Sequence, residues 1–320
     1  DDIKEFARIF TGYTYANPDG SPITKKNGVY YGADMGVYPG TATTGHDPDA
    51  KTLLNGQVVP AGQTPQQDLD AAVRNVFMHA NTGPFISKQL IQRLVTGNPS
   101  TAYVQRVASV FNNNGSGVRG DMKAVVRAIL TDSEARGPAK SDPTFGTLRE
   151  PVLMITGLIR ALGGVTDGNA LGDRASNLNQ RPYYSPTVFN YFQPDFTLPG
   201  TSVLAPEFTI YNSNSAVART NLVYQLVYAG IAPDGNLNNA TGTRLNTVQF
   251  EQYATDAATL VDKVSDIMIG GPLPAAARTA VMNAVQAIAL SATPTAQQKT
   301  DRARMAVYLV ASSNHFQIQR

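Results

Sequence analysis

The chain has 320 residues and no cysteine, which excludes disulfides, thiolate metal sites and a cysteine nucleophile. Charged residues are only 16% of the total, against about 25% in an average soluble domain. The net charge is +2 and the longest basic cluster is Lys25-Lys26, so nucleic-acid binding, which needs clustered cations to displace counterions, is not expected.

Hydrophobic residues make up 42%, enough for a sizeable core. Asn, Thr, Gln, Ser and Gly replace the missing charge, and that polar but weakly charged surface suggests an extracellular, periplasmic or cell-surface protein. No apolar run approaches the roughly 18 residues of a membrane span, so none is expected. The sequence begins at Asp1 without a visible signal peptide, which reads as a mature, trimmed or cleaved product.

In chain order, residues 1–14 open with aspartates suited to a helix start. Ile3, Phe6, Ala7 and Phe10 then form an apolar face at helical spacing, and Gly12 ends it. From about 15 to 65 the helical period vanishes. Turns are expected at Pro18-Asp19-Gly20 and Asn27-Gly28, and short strands at 28–32 (GVYYG) and 55–60 (NGQVVP). Residues 67–80 read as a helix facing inward through Leu69, Val73, Val76 and Phe77. Residues 83–95 read as another, with Pro84 at its first position, burying Phe85, Ile86, Leu90, Ile91, Leu94 and Val95.

Further helices are expected over 101–111, then after an Asp121 cap with Met122, Val125, Val126, Ile129 and Leu130 inward, then over 150–162 up to Gly163-Gly164. A second irregular region covers 164–212. Its segment QRPYYSPTVFNYFQPDFTLP (180–199) has prolines too dense for a long helix. Its aromatics read as an internal lid over the helices, with a stacking surface as the alternative. Helices resume over 213–231, 248–269, 274–290 and 295–313. Gly270-Gly271 and the alanine-rich run 275–289 suggest close helix contacts. The fold class expected is mainly α: a multi-helix bundle in a single 1–320 domain, with loop insertions at about 15–65 and 164–212 and a small β-hairpin.

Seven ordered pieces carry a resemblance: FARIFTGYT (6–14), GHDPDAKTLLNG (45–56), HANTGPFISKQLIQRLV (79–95), GVRGDMKAVVRAIL (117–130), REPVLMITGLIRAL (149–162), SPTVFNYFQPDFTLPG (185–200) with LAPEFTI (204–210), and the ending YLVASSNHFQIQR. Their order and spacing resemble the bacterial family catalogued as domain of unknown function 1800. The resemblance implies a chain corresponding to the C-terminal part of a longer protein, with its own N-terminal helical section as one partner. It also implies export, often beside an exported sulfatase-like protein, and leaves the activity open. Tyr13 stands where a tryptophan is frequent in that family, and this chain has no Trp.

The candidate chemistry centres on TTGHDPDAKTLLNG (43–56). His46, Asp47 and Lys51 are catalytic candidates, and Asp47 and Asp49 are oxygen ligands that would suit Ca²⁺. The plainer reading is a tied corner: Asp47 forms an Asx-turn over Pro48 and Asp49, and Lys51 pairs with a carboxylate. His79 and His315 are too far from His46 in sequence to suggest a zinc pair; His79 suits a helix C-terminus. Glu207, in the loop APEF, is the fourth catalytic candidate, with Glu150 and Asp195 as companion carboxylates. No other cofactor is expected.

Two functions remain open on the sequence. The first is an exported structural or binding component of the cell envelope or matrix, partnered by another exported protein or by itself. The second is an extracellular polymer hydrolase with a site between the 43–56 and 183–207 loops.

Overall fold

The computed structural model describes residues 1–22, 32–38, 40 and 45–320. The Asn27-Gly28 turn and all of the 28–32 strand except Gly32 lie outside the described residues. Helices dominate, joined by short antiparallel strand pairs, so the mainly α expectation holds. The chain forms two compact units, residues 1–86 and 87–320.

The first unit holds α1 (Asp2–Ile9), β1 (Tyr13–Thr14), β2 (Gly36–Val37), β3 (Lys51–Thr52), β4 (Val58–Val59), α2 (Pro65–Met78) and the start of α3 (Thr82–Leu94). β1 pairs antiparallel with β2, and β3 with β4, with Lys51 opposite Val59. The β3–β4 pair is a small hairpin whose second strand lies in the expected NGQVVP piece, while its first, 51–52, is not among the expected strands. α2 starts at a complete capping box: the Thr64 hydroxyl accepts from the Gln67 N–H, the Gln67 side chain accepts from the Thr64 N–H, and Pro65 takes the first helical position.

The core of this unit is Ile9, Leu53, Val59 and Ala72, with Phe6 packed against them. Two inward faces differ from the sequence reading. In α1, Ile9 is buried while Ile3 and Phe10 are exposed. In α2 the buried positions are Asp68, Ala72 and Asn75, whereas Val73 is 58% and Met78 54% exposed. The helix thus turns its small and polar side inward. The reason is hydrogen bonding: Asn75 Nδ2 donates to the Leu54 carbonyl at 3.0 Å and to Gln57 Oε1 at 2.9 Å, and Asp68 meets the loop described below.

In the second unit, α4 (Thr101–Asn112) packs against α5 (Met122–Thr131). Asp121 caps α5 by accepting from the Ala124 N–H, as the sequence indicated. Only Val125 and Ile129 of the expected α5 stripe are buried, and Met122 and Leu130 are half-exposed. α3 begins at Thr82, so Pro84 is its third residue, still within the turn whose N–H groups have no helical partner. Of its expected inward residues Ile91 is buried, whereas Leu94 is half-exposed. α6 (Ser133–Arg136) follows α5 directly.

The main core collects α7 (Pro151–Ala161), α9 (Ser213–Tyr228), α11 (Ala257–Ile269) and α12 (Ala275–Gln286) around α13 (Ala296–Ser312). The short α8 (Leu171–Ser176) and α10 (Val248–Glu251) precede α9 and α11, and α14 (Asn314–Gln317) follows α13. α13 presents Ala303, Ala306, Val307, Val310 and Ala311, all fully buried. Small side chains here let three helices approach one axis closely. The alanines of α12 do not play that part: its buried residues are Val281 and Val285. Gly270 closes α11 at φ +74°, with open space where a side chain would be, so its role is the left-handed cap and not helix contact.

Two strand pairs stitch distant pieces together. β5 (Thr147–Leu148) pairs with β8 (Ile318–Gln319), and β6 (Val165–Thr166) with β7 (Thr243–Arg244). Within 164–212 the lid expectation is corrected. Phe192 alone of the aromatic run is buried, while Tyr183 and Tyr184 are exposed. The Tyr191 hydroxyl donates to the Arg181 carbonyl and accepts from the Tyr184 N–H at 3.3 Å. The loop closes on its own backbone and turns those rings outward.

Candidate functional site

The first cluster is built by α1, the segment 45–52 and α2. Thr11, just past α1, uses its hydroxyl twice: it donates to the Arg8 carbonyl at 2.6 Å and accepts from the Asp47 N–H at 2.9 Å. Gly12 sits at φ +82°, and a Cβ there would lie 2.7 Å from the backbone nitrogen of His46. Glycine is required on both counts, conformation and space.

Arg8 then holds Asp47 in a fork, Nε to Oδ2 at 2.8 Å and Nη2 to Oδ1 at 3.2 Å. Its Nη1 reaches Glu5 at 2.9 Å and the Ala50 carbonyl at 3.1 Å. The hydrogen bonds from Arg8 hold the Asp47 carboxyl down at about 2, well below its usual value. The Asx-turn is present, with the Asp49 N–H donating to Asp47 Oδ1 at 2.9 Å. Glu5 accepts from the Thr52 N–H at 3.0 Å, and that bond comes first among the causes lowering its pKa.

Beneath this layer lies Lys51, 2% exposed. Its Nζ is 2.7 Å from Asp68 Oδ2, 2.6 Å from the Asp47 carbonyl and 2.9 Å from the Asp49 carbonyl. Three donors meet three acceptors, the full capacity of an ammonium. His46 spans the same carboxylate and α1: Nε2 is 3.0 Å from Asp68 Oδ2, and Nδ1 is 3.0 Å from the Thr11 carbonyl. Asp68 Oδ1 is buried and meets no hydrogen-bond partner among the described residues.

The structure therefore brings His46, Asp47 and Lys51 together and adds Asp68, Arg8, Glu5 and Thr11, which the sequence reading did not single out. Of the oxygens proposed for a cation, the Asp47 carboxylate is engaged by Arg8 and the carbonyls of Asp47 and Asp49 by Lys51, while the Asp49 side chain is exposed. Among the described residues no group of three or more His, Asp or Glu side chains is arranged to hold a metal ion. Tyr13 donates its hydroxyl to the Pro65 carbonyl at 3.1 Å, tying β1 to the start of α2.

Glu207 belongs to the second unit. It sits in a 3₁₀ turn (Pro206–Ile210) and is 4% exposed. Burial pushes its carboxyl up to about 7. Glu150, at the cap of α7, is bonded to Arg93 at 3.1 Å and to the Gln180 amide. Arg93 also lies over the Phe192 ring at 4.1 Å. His79 caps the C-terminus of α2, and His315 lies in α14.

A family model described as "Protein of unknown function (DUF1800)" matches residues 1–318. The chain belongs to this family. No curated protein and no solved structure matches it. Two of the pieces that carried the resemblance, FTG at 10–12 and GHDPDAK at 45–51, are the ones that meet around Thr11, Gly12 and Lys51. A second meeting joins the REP and FQIQ pieces. The Arg149 N–H donates to the Gln317 carbonyl at 2.8 Å, and buried Arg219 donates to the Arg149 carbonyl at 2.9 Å. These DUF1800 motifs are thus places where distant chain segments are fastened. No helix among the described residues is long and apolar enough to cross a membrane.

Proposed function

We propose that this DUF1800 chain is a non-catalytic structural or binding component of the bacterial cell envelope or extracellular matrix. The observation that carries the reading is the closed state of the His46–Lys51–Asp68 cluster. A reacting group must be presented to a substrate. Here every ammonium proton of Lys51 has an acceptor within the fold, and Asp68 is 1% exposed. The outward apolar residues of α2, Val73, Val76 and Met78, support a binding role. The low charge content supports an exported setting.

A polymer hydrolase is the competing reading. It would use a pair of carboxyl groups. Glu150, the companion nearest in effect to Glu207, is committed to Arg93 and Gln180. The test is a panel of polysaccharides, peptidoglycan and protein polymers incubated with the purified chain and with His46→Ala. The proposal expects no turnover by either. Turnover by the wild type that disappears in a folded His46→Ala variant would overturn it.

A further inference from the structure

A cavity of about 300 Å³ opens in the second unit beside Glu207. Its floor comes from the β5–β8 pair, through Leu148 and Ile318, and its walls from Phe145 and from Leu198, Val203 and Phe208. Glu207 is the only ionisable residue in the lining. Glu207 lines the cavity from the turn at 206–210, which packs against Gly97. A Cβ on Gly97 would meet Pro206 Cδ at 3.4 Å and Glu207 Oε2 at 3.5 Å. The segment is pinned there from both sides. The Leu204 N–H donates to Asn98 Oδ1 at 3.2 Å, and the Ala205 N–H to the Phe196 carbonyl at 2.9 Å. Among the described residues no side chain donates to the Glu207 carboxyl, whose only hydrogen bond comes from its own N–H.

A mostly apolar chamber with one carboxyl in its lining is the usual form of a small-molecule site: an apolar body is held by area and a single polar group fixes orientation. The cavity corresponds to about ten water-sized volumes. We propose that it binds an uncharged molecule of about ten non-hydrogen atoms, its apolar chain lying against Phe145, Leu198 and Val203 and its carbonyl oxygen accepting a hydrogen bond from the Glu207 carboxyl. This inference stands apart from the proposed envelope role.

The head-group chemistry follows from the charges that face Glu207. They are Arg93 from α3, which acts on it most strongly, and Glu150 from the start of α7, and these two neutralise each other at 3.1 Å. Among the described residues Glu207 forms no ion pair of its own, and burial holds its proton on up to about pH 7. A protonated carboxyl is a donor and takes an acceptor. A cationic head would have to shed its water in an apolar chamber with Arg93 as the strongest neighbouring charge.

The test uses 2-nonanone, which has an apolar chain and an acceptor-only head, and n-octylamine as the cationic comparison. Binding to the 320-residue chain is followed by ligand-observed NMR and calorimetry at pH 6 and pH 8. The proposal expects saturable one-to-one binding of 2-nonanone, weaker by about tenfold at pH 8 because the donor proton is lost across that interval. Glu207→Gln keeps a donor and should bind equally at both pH values. Val203→Trp fills the chamber and should abolish binding while the far-ultraviolet circular dichroism is unchanged. If Val203→Trp fails to fold, the pH contrast between wild type and Glu207→Gln decides alone. Absence of saturable 2-nonanone binding at pH 6, tighter binding of octylamine, or binding that strengthens towards pH 8 would overturn the proposal.

Discussion

Lys51 Nζ lies 2.7 Å from Asp68 Oδ2, with both side chains about 1% exposed. An ion pair this deep is worth little over a well-packed apolar pair, but removing one partner strands a charge out of water. The pair therefore fixes where the 45–59 segment sits on α2 more than it adds net stability. Leu53 and Val59 on the same segment then fill the small core with Ile9 and Ala72. Burying side chains of this size contributes about 1.5–3 kcal/mol each.

The close approach at Gly12 gives a sharp expectation. Gly12→Ala must adopt φ near +82° and also place a methyl 2.7 Å from a backbone nitrogen. Gly20 has φ +84° but open space around the missing Cβ. Left-handed backbone costs an ordinary residue about 1–2 kcal/mol. Gly20→Ala should cost that amount alone. Gly12→Ala should cost distinctly more and lower the melting temperature further. Equal losses in urea melts of the two variants would refute the steric account of the FTG piece.

Glu207 makes stability depend on pH in a definite direction. Its folded pKa is raised from 4.5 to about 7, so the folded chain keeps a proton that the unfolded chain releases earlier. Stability is lost as pH rises from about 4.5 to about 7, and the full loss is present above that. The shift corresponds to about 3 kcal/mol. Glu207→Gln removes it. The stability difference between variant and wild type should move in the variant's favour by about that amount between pH 4.5 and pH 8. A difference that stays constant across this range would show that the carboxyl is not desolvated.

The cation question has a direct check. Asp47 is held by Arg8, and the carbonyls of Asp47 and Asp49 by Lys51. Added calcium and added EDTA should each leave the melting temperature within about 1 °C of the untreated chain, because a bound ion in excess would otherwise stabilise the folded form by mass action. A calcium-dependent rise of several degrees, lost in Asp47→Asn, would mean that the corner opens to take the ion.

Much of the helical skeleton was legible in the sequence because periodicity and caps are local signals. Asp121 capping α5 and the helix over 296–312 are examples. The apolar pattern of α2 predicts Leu69, Val73, Val76 and Phe77 inward, and the helix instead buries the face of Asp68, Ala72 and Asn75. Apolar residues normally mark the buried side, but here Asp68 and Asn75 are drawn in by partners on the 46–57 segment. No local pattern announces a bond to a residue that far away in sequence. The corner at 45–52 was half legible: the Asx-turn is written in Asp47-Pro48-Asp49, whereas Arg8 and Asp68 are reached only through the tertiary fold. Glu207 could be singled out as a loop carboxylate. Its chamber could not, because its floor is made by pairing β5 with the last strand of the chain.

The most direct measurement of the central claim, that the 45–59 segment is a structural clamp locked by a buried charge pair, is a double-mutant cycle on Lys51→Met and Asp68→Asn, read by urea denaturation. The clamp predicts that each single substitution costs about 3–5 kcal/mol and that the double variant recovers about 2 kcal/mol or more of the summed loss. Single losses below about 1 kcal/mol that add without coupling are what an open, solvated surface pair gives, and that result would contradict the account.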